Sequence, residues 1–218
     1  MFEQITQGTE EWKRLRIGKV TASRIADVTA RTKSGYAASR ANYMAELLTE
    51  RLTGVPRESF SNAAMVWGSD MEPEARRHYA FITDNDVAEV AFVEHPTIAN
   101  TGASPDGLVG ADGLVEIKCP SSATHIETLL GSGIDGKYIK QMQWQMACTG
   151  REYCDFVSFD PRLPERMQIH VERVKADGEM IREIEAAVRE FLSELDAKEA
   201  ALLEKFGELP TDLLMAGE

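Results

Sequence analysis

Cysteine is scarce in this chain. Cys119, Cys148 and Cys154 are the only three among 218 residues, an odd number without metal-like spacing, which argues against a disulfide scaffold or a four-cysteine metal cluster. Histidine is equally thin: His78, His95, His125 and His170 form no metal-spaced pair. No run of about 18 uncharged apolar residues occurs, so no membrane span is expected. The opening Met1-Phe2-Glu3-Gln4 lacks the basic start and apolar core of a signal peptide, which points to the cytoplasm. There is no Gly-x-Ser-x-Gly elbow, no internal repeat and no low-complexity tract. Basic residues are outnumbered, 24 against 36 acidic, for a net charge of −12. On its face that balance argues against a nucleic-acid partner. What is present is ordinary for a folded domain, with 43% hydrophobic and 28% charged residues, which excludes general disorder.

The charge is unevenly spread. Residues 11–57 carry a net +6, whereas residues 61–120 carry −7. One segment can face phosphate while the centre gathers carboxylates, although scattered charge is the bland alternative.

Periodicity and punctuation predict helices, then strands, then helices, strands and a last helix. Thr9-Glu10-Glu11-Trp12 reads as a capped helix start, and Thr21-Ala22-Ser23 precedes a short helix through Val28. Ala30 to Ser39 reads as a basic loop. Helices are expected over 40–53 and 62–82, the second broken or bent around Gly68 and Pro73. Val87 to Val93 reads as one strand. A turn-rich patch follows, and Leu114 to Lys118 alternates with period two. Helices are expected at 122–130 and 138–148, strands at 153–159 and 167–174, and a long acidic amphipathic helix at about 177–206, with a partly ordered tail at 207–218. The order implies a single α/β (α+β) domain over 1–218 with a central mixed sheet flanked by helices. Its helical N-terminal part covers about 1–85 and its sheet core about 86–175.

The stretch richest in chemistry is Ser104-Pro105-Asp106-Gly107, followed by Glu116-Ile117-Lys118. In a strand, Glu116 and Lys118 share one face and Val115 and Ile117 the other. A hairpin at Asp112-Gly113 would fold Asp106 back beside Glu116. Two carboxylates and the Ile117 carbonyl suit Mg²⁺, which takes oxygen ligands and keeps several waters. Lys118 would orient a water, bind phosphate, or act as a base if its pKa were lowered. Taken alone, Asp-Gly is a common turn and Glu-x-Lys usually a solvated face.

The whole pattern resembles the PD-(D/E)xK nuclease superfamily, whose fold is a restriction-endonuclease-like core, and within it the phage lambda exonuclease family. The resemblance rests on five ordered blocks. These are Trp12 to Gly18 with Thr21-Ala22-Ser23, Trp67-Gly68 with Glu72, Ser104 to Leu108, Glu116 to Pro120, and Tyr138 with Gln141 and Gln143. It implies a processive 5′-to-3′ exodeoxyribonuclease acting on linear duplex DNA, releasing 5′-phosphomononucleotides and leaving 3′ single strands for recombination by strand annealing. It further implies Mg²⁺ (with Mn²⁺ as a substitute and Ca²⁺ binding without cleavage), a ring-shaped homotrimer, a single-strand annealing partner and a phage or prophage origin. Residue by residue, Asp106, Glu116 and the Ile117 carbonyl match the metal ligands, and Lys118 the catalytic lysine. Glu72 matches a further acid and Gln141 a supporting residue. Arg16, Ser23 and Ser104 match a pocket for a 5′-terminal phosphate, for which a guanidinium with hydroxyl donors is apt. Singly, Arg16 reads also as surface charge, Ser23 as a cap, Glu72 as a first-turn acid, and Tyr138, Trp144 and Met146 as core.

Weaker signals complete the reading. Gly131 to Tyr138 nearly spells a phosphate-binding loop, but Tyr138 stands where a Ser/Thr is needed and the preceding segment reads as helix, so an NTPase is rejected. Cys119 reads as apolar packing. Arg31 and Lys33 are expected to track the DNA backbone. Met65 is expected either to wedge between bases or to be core. The rival readings are an endonuclease of the same superfamily and a non-enzymatic acidic interaction protein.

Overall fold

The computed structural model describes residues 5–57 and 62–207, so the tail beyond Gly207 lies outside the described residues. The chain runs α1 (Glu10–Leu15), β1 (Val20–Thr21), α2 (Ile25–Val28), β2 (Arg31–Thr32), β3 (Gly35–Tyr36), α3 (Ala38–Thr53), α4 (Ala63–Thr83), β4 (Val87–Ala88), β5 (Val93–Glu94), β6 (Thr101–Ala103), β7 (Gly107–Val109), β8 (Gly113–Lys118), α5 (Ser122–Leu129), α6 (Gly136–Thr149), β9 (Tyr153–Phe159), β10 (Ile169–Lys175) and α7 (Gly178–Phe206). Short 3-10 turns lie at Ala22–Arg24 and Glu165–Met167. Among the described residues no helix is long and apolar enough to cross a membrane.

Caps set the helix starts. The Thr9 hydroxyl accepts the Trp12 amide at α1, the Asn62 side chain the Met65 amide at α4, and the Asp177 carboxylate the Glu179 and Met180 amides at α7. Gly54 and Gly150 close α3 and α6 at φ of +66° and +69°, where a side chain would be strained. Thr21, which opens the short turn Ala22–Arg24, makes no side-chain capping bond.

Two sheets share the work. The larger has the order β10-β9-β8-β7-β4, with β8 and β9 parallel and the other pairs antiparallel. The smaller has the order β1-β6-β5. One face of the larger sheet packs Val115, Ile117, Val157 and Phe159 against Ala75 and Tyr79 of α4. On the other face Leu114, Cys154 and Phe156 meet Met142 and Met146 of α6. A third core joins α2, α3, α6 and α7 around Tyr43, Trp144 and Phe191. Truncating a buried aromatic such as Phe191 costs about 3–5 kcal/mol.

Three expectations are corrected. Of the break or bend expected around Gly68 and Pro73, the break is absent: Ala63–Thr83 is one helix, α4, with Pro73 inside. Proline removes one hydrogen bond, but burial of Ala75 and Tyr79 against the sheet outweighs that loss. The single strand expected over 87–93 is two, β4 in the larger sheet and β5 in the smaller. The basic loop at 30–39 contains the hairpin β2–β3, and α3 begins within its last residues.

Candidate active site

The hairpin does bring Asp106 beside Glu116, but its turn is Gly110-Ala111-Asp112, with Gly110 at φ +52°, and Gly113 already pairs with Val109 at the start of β8. β7 and β8 pair antiparallel with Gly107 opposite Val115. A Cβ on Gly107 would run into the Val87 and Val115 methyl groups, so only glycine lets the strands approach here. Asp106, just before β7, accepts the Ile117 main-chain N–H on Oδ2 at 2.6 Å.

Glu116 projects toward α6, away from Val115 and Ile117, as the alternation predicts. Its residue exposure is 0%, a burial a carboxylate tolerates only when its oxygens are paired. Gln141 donates Nε2 to Oε1 at 2.7 Å, and Gln145 donates Nε2 to Oε2 at 2.6 Å. The Lys118 ammonium pairs with Oε1. Gln141 and Gln145 stand one turn apart on α6, the i,i+4 spacing that puts two side chains on one face. Gln143 points elsewhere: it donates to the Lys175 carbonyl and accepts the Asp177 amide, both at 2.8 Å, tying α6 to the start of α7.

Glu72 reaches the same centre from α4. Arg76, one turn along, pairs with Glu72 Oε1, donates Nε to the Asp106 carbonyl at 2.9 Å and lies 3.1 Å from Glu89. Burial, then the nearby Glu116 charge, push the Asp106 carboxyl well above the usual carboxylate range. Burial also raises Glu72, with Arg76 opposing and Glu116 adding. For Lys118, burial lowers the pKa, but Glu116 and Asp106 outweigh it and raise the ammonium above its ordinary value. Lys118 stands here as a charged donor to Glu116. Cys119 is confirmed as packing, its thiol pushed up to about 12 by burial and the adjacent acids.

The donor set fits a hard divalent cation. Among the described residues no three His, Cys, Asp or Glu side chains are grouped to hold a metal between them. Two carboxylates and a main-chain carbonyl are nonetheless the kind of incomplete oxygen set that Mg²⁺ accepts while keeping waters.

A second centre lies across the Ser104-Pro105-Asp106 segment. The Ser104 hydroxyl accepts from Arg16 Nη1 at 3.2 Å and from Trp12 Nε1 at 3.1 Å, and donates to the Ala91 carbonyl at 2.6 Å. The Arg16 guanidinium lies 4.0 Å above the Trp12 ring. Burial pulls it down to about 10, leaving it charged at neutral pH. A cleft of about 470 Å³ opens here, lined by Arg16, Ser23 and Met65 among others. Its cations Lys13, Lys19, Arg24 and Arg57 are each paired with a carboxylate. Arg16, half-buried, has no such carboxylate pair among the described residues.

The structure thus gathers Asp106, Glu116, Ile117, Lys118, Glu72 and Gln141 at one centre, and Arg16, Ser104, Ser23 and Met65 at its neighbour. Met65 is exposed rather than core, and Trp144 and Met146 are core. Arg31 and Lys33 join neither group. They lie on the exposed β2–β3 hairpin, where Arg31 donates to the Tyr36 hydroxyl at 2.9 Å and Tyr36 to Glu190 of α7 at 2.6 Å. Sequence reasoning missed Gln145 and Arg76. The available signal was their spacing, each four residues beyond a residue it had singled out. Trp12, read only as part of a motif, holds both Arg16 and Ser104.

Comparison with known proteins places these centres in context. The YqaJ-like viral recombinase domain matches residues 11–152. An alkaline exonuclease from Laribacter hongkongensis is similar over 93% of this chain and 100% of its own, at 54% identity and a TM-score of 0.86. The structure of that enzyme with dAMP is similar to the same extent, at 55% identity and a TM-score of 0.86. A phage-related exonuclease from Haemophilus somnus 129PT shares the fold at 16% identity and a TM-score of 0.64, over 85% of this chain and 98% of its own. No curated protein matches significantly.

Proposed function

This chain belongs to the YqaJ-like viral recombinase domain family, and on that premise we propose that it is an exodeoxyribonuclease. In this reading it digests linear duplex DNA processively from 5′ ends, releases 5′-mononucleotides and leaves 3′ single strands for an annealing recombinase. The observation that carries the reading is the adjacency of two centres on one short segment. Ser104 reaches Arg16 in the cationic cleft, and Asp106 joins Glu116 and Lys118 two residues later.

The chemistry follows from the side chains. Arg16, with Ser23 at the cleft wall, takes the terminal 5′-phosphate by charge-assisted hydrogen bonds, and Ser104, which accepts from Arg16 while donating to the Ala91 carbonyl, orients the guanidinium in that pocket. Asp106, Glu116 and the Ile117 carbonyl would hold Mg²⁺, or Mn²⁺ in its place. When bound, the cation supplies Lewis-acid charge at the scissile phosphate and an acidified water. Gln141 and Gln145 hold Glu116 in one rotamer, because both its oxygens accept buried amide donors. Lys118, held cationic, steadies the negative charge that grows on the phosphate oxygens. Arg76 holds Glu72 beside the Asp106 main chain. Met65, exposed at the cleft wall, is placed to meet the last base pairs.

A ring of three copies reconciles DNA binding with the acidic chain, since the cationic cleft can face a lumen while the acidic α7 faces solvent. In that reading Arg31 and Lys33 track the duplex backbone. The test is the release of 5′-terminal nucleotides from a labelled linear duplex in Mg²⁺ but not in EDTA.

A further inference from the structure

We propose that the segment Ser104-Pro105-Asp106, clamped by Gln7 and Arg76, is the ruler that fixes product length at one nucleotide. The inference rests on the exonuclease reading above and deepens it. Product length in such an enzyme is the number of nucleotides between the anchored 5′-phosphate and the phosphate that is cut. Here the anchor is Ser104 with Arg16, the cutting centre begins at Asp106, and a single residue separates them.

That segment is also the joint between the two sheets, because β6 belongs to the smaller sheet and β7 to the larger. A free joint would let the two centres drift apart, yet this one is held at three points. Pro105 is buried and its φ is fixed by the ring. Gln7 donates from one amide nitrogen to the Pro105 carbonyl at 2.9 Å and to the Val90 carbonyl at 2.8 Å. Arg76 donates to the Asp106 carbonyl at 2.9 Å and lies 3.1 Å from Glu89. Both side chains therefore fasten the joint to the same neighbouring strip, residues 89–91. The Ala91 carbonyl of that strip accepts from Ser104 and from Trp12. Two residues span at most about 7 Å, the scale of one phosphate-to-phosphate step along a strand rather than two. Gln7 and Arg76 touch neither centre's reacting atoms directly in this role; they are positioning residues.

The experiment resolves product lengths by mass, using a 5′-phosphorylated duplex in Mg²⁺, for the wild type, Gln7→Leu and Arg76→Gln. The wild type should release mononucleotides. Each variant should turn over about 10- to 100-fold more slowly, and its dinucleotide fraction should rise at least about tenfold, since misplacement of the order of 1 Å costs this much in rate. A purely structural role would lower stability or rate and leave product length unchanged, and that result would overturn the inference. Gln7→Leu, half-buried near the chain start, keeps the test open if Arg76→Gln does not fold. A wild type without Mg²⁺-dependent release would overturn the exonuclease reading itself, and the ruler with it.

Discussion

The Asp106 carboxylate accepts the Ile117 main-chain N–H at 2.6 Å, which pins the segment before β7 to the residue between Glu116 and Lys118. Asparagine can accept the same hydrogen bond, so Asp106→Asn should fold. It cannot supply the charge. Mg²⁺-dependent cleavage should fall by at least about 10²–10³-fold, while DNA binding measured in Ca²⁺ is retained. Single-turnover cleavage and a mobility-shift assay check the two halves; near wild-type cutting would remove Asp106 from the chemistry.

Gln145→Leu leaves Glu116 Oε2 without the donor that now stands 2.6 Å away. An unpaired acceptor at a fully buried carboxylate costs about 1–3 kcal/mol, read as a lower urea midpoint. The outer support of a metal-binding carboxylate is worth about 10- to 100-fold in activity or metal affinity. Calorimetric titration with Mn²⁺ should therefore show weaker binding. Unchanged metal affinity would make Gln145 a packing residue only.

Arg16→Gln should erase the preference for a 5′-phosphate over a 5′-hydroxyl end. A hydrogen bond to a charged group contributes about 1.5–3 kcal/mol, so the preference should fall about 10- to 100-fold while cutting of hydroxyl ends changes little. Comparing initial rates on the two substrates measures it. An intact preference would place the end-binding site elsewhere.

Asp160 supplies a pH signature outside the site. Its carboxylate has 0% exposure and takes Arg162 through two oxygens at 2.7 and 3.0 Å. Burial pushes its pKa up, but hydrogen bonds from Arg162 and Ser122 outweigh this and hold it down to about 2. A folded value below the unfolded one near 3.9 contributes stability above the unfolded value that is lost as pH falls through about 2. Arg162 is half-exposed, so the contribution is about 1–2 kcal/mol after screening. Asp160→Asn should thus unfold at lower urea than wild type at pH 6, the gap closing near pH 2. A gap independent of pH would sink this account.

Much of the centre was legible because strand geometry is rigid. Period-two alternation put Glu116 and Lys118 on one face, and the hairpin expected at Asp112-Gly113, whose turn falls at residues 110–112, placed Asp106 beside them. The cap at Thr9 was local chemistry and equally readable. The split of 87–94 into two strands was not, because Val90 and Ala91 spend their carbonyls on Gln7, Trp12 and Ser104, partners some 13 to 83 residues away. The continuous α4 through Pro73 was hidden for a similar reason: burial of Tyr79 against a distant sheet overrides a local breaker. The charge state of Lys118 needed the count of acids around it, which only the folded chain provides.

The central claim is that a metal-dependent cutting centre and an end-binding cleft act together on DNA ends. The most direct measurement follows one linear duplex, bearing a 5′-phosphate or a 5′-hydroxyl and labelled at each end in turn, in Mg²⁺ and in EDTA, beside a closed circle. The account predicts Mg²⁺-dependent release of 5′-terminal mononucleotides, faster from the phosphorylated end, with the circle untouched. Cutting of the circle, or no Mg²⁺-dependent release from any end, would contradict it.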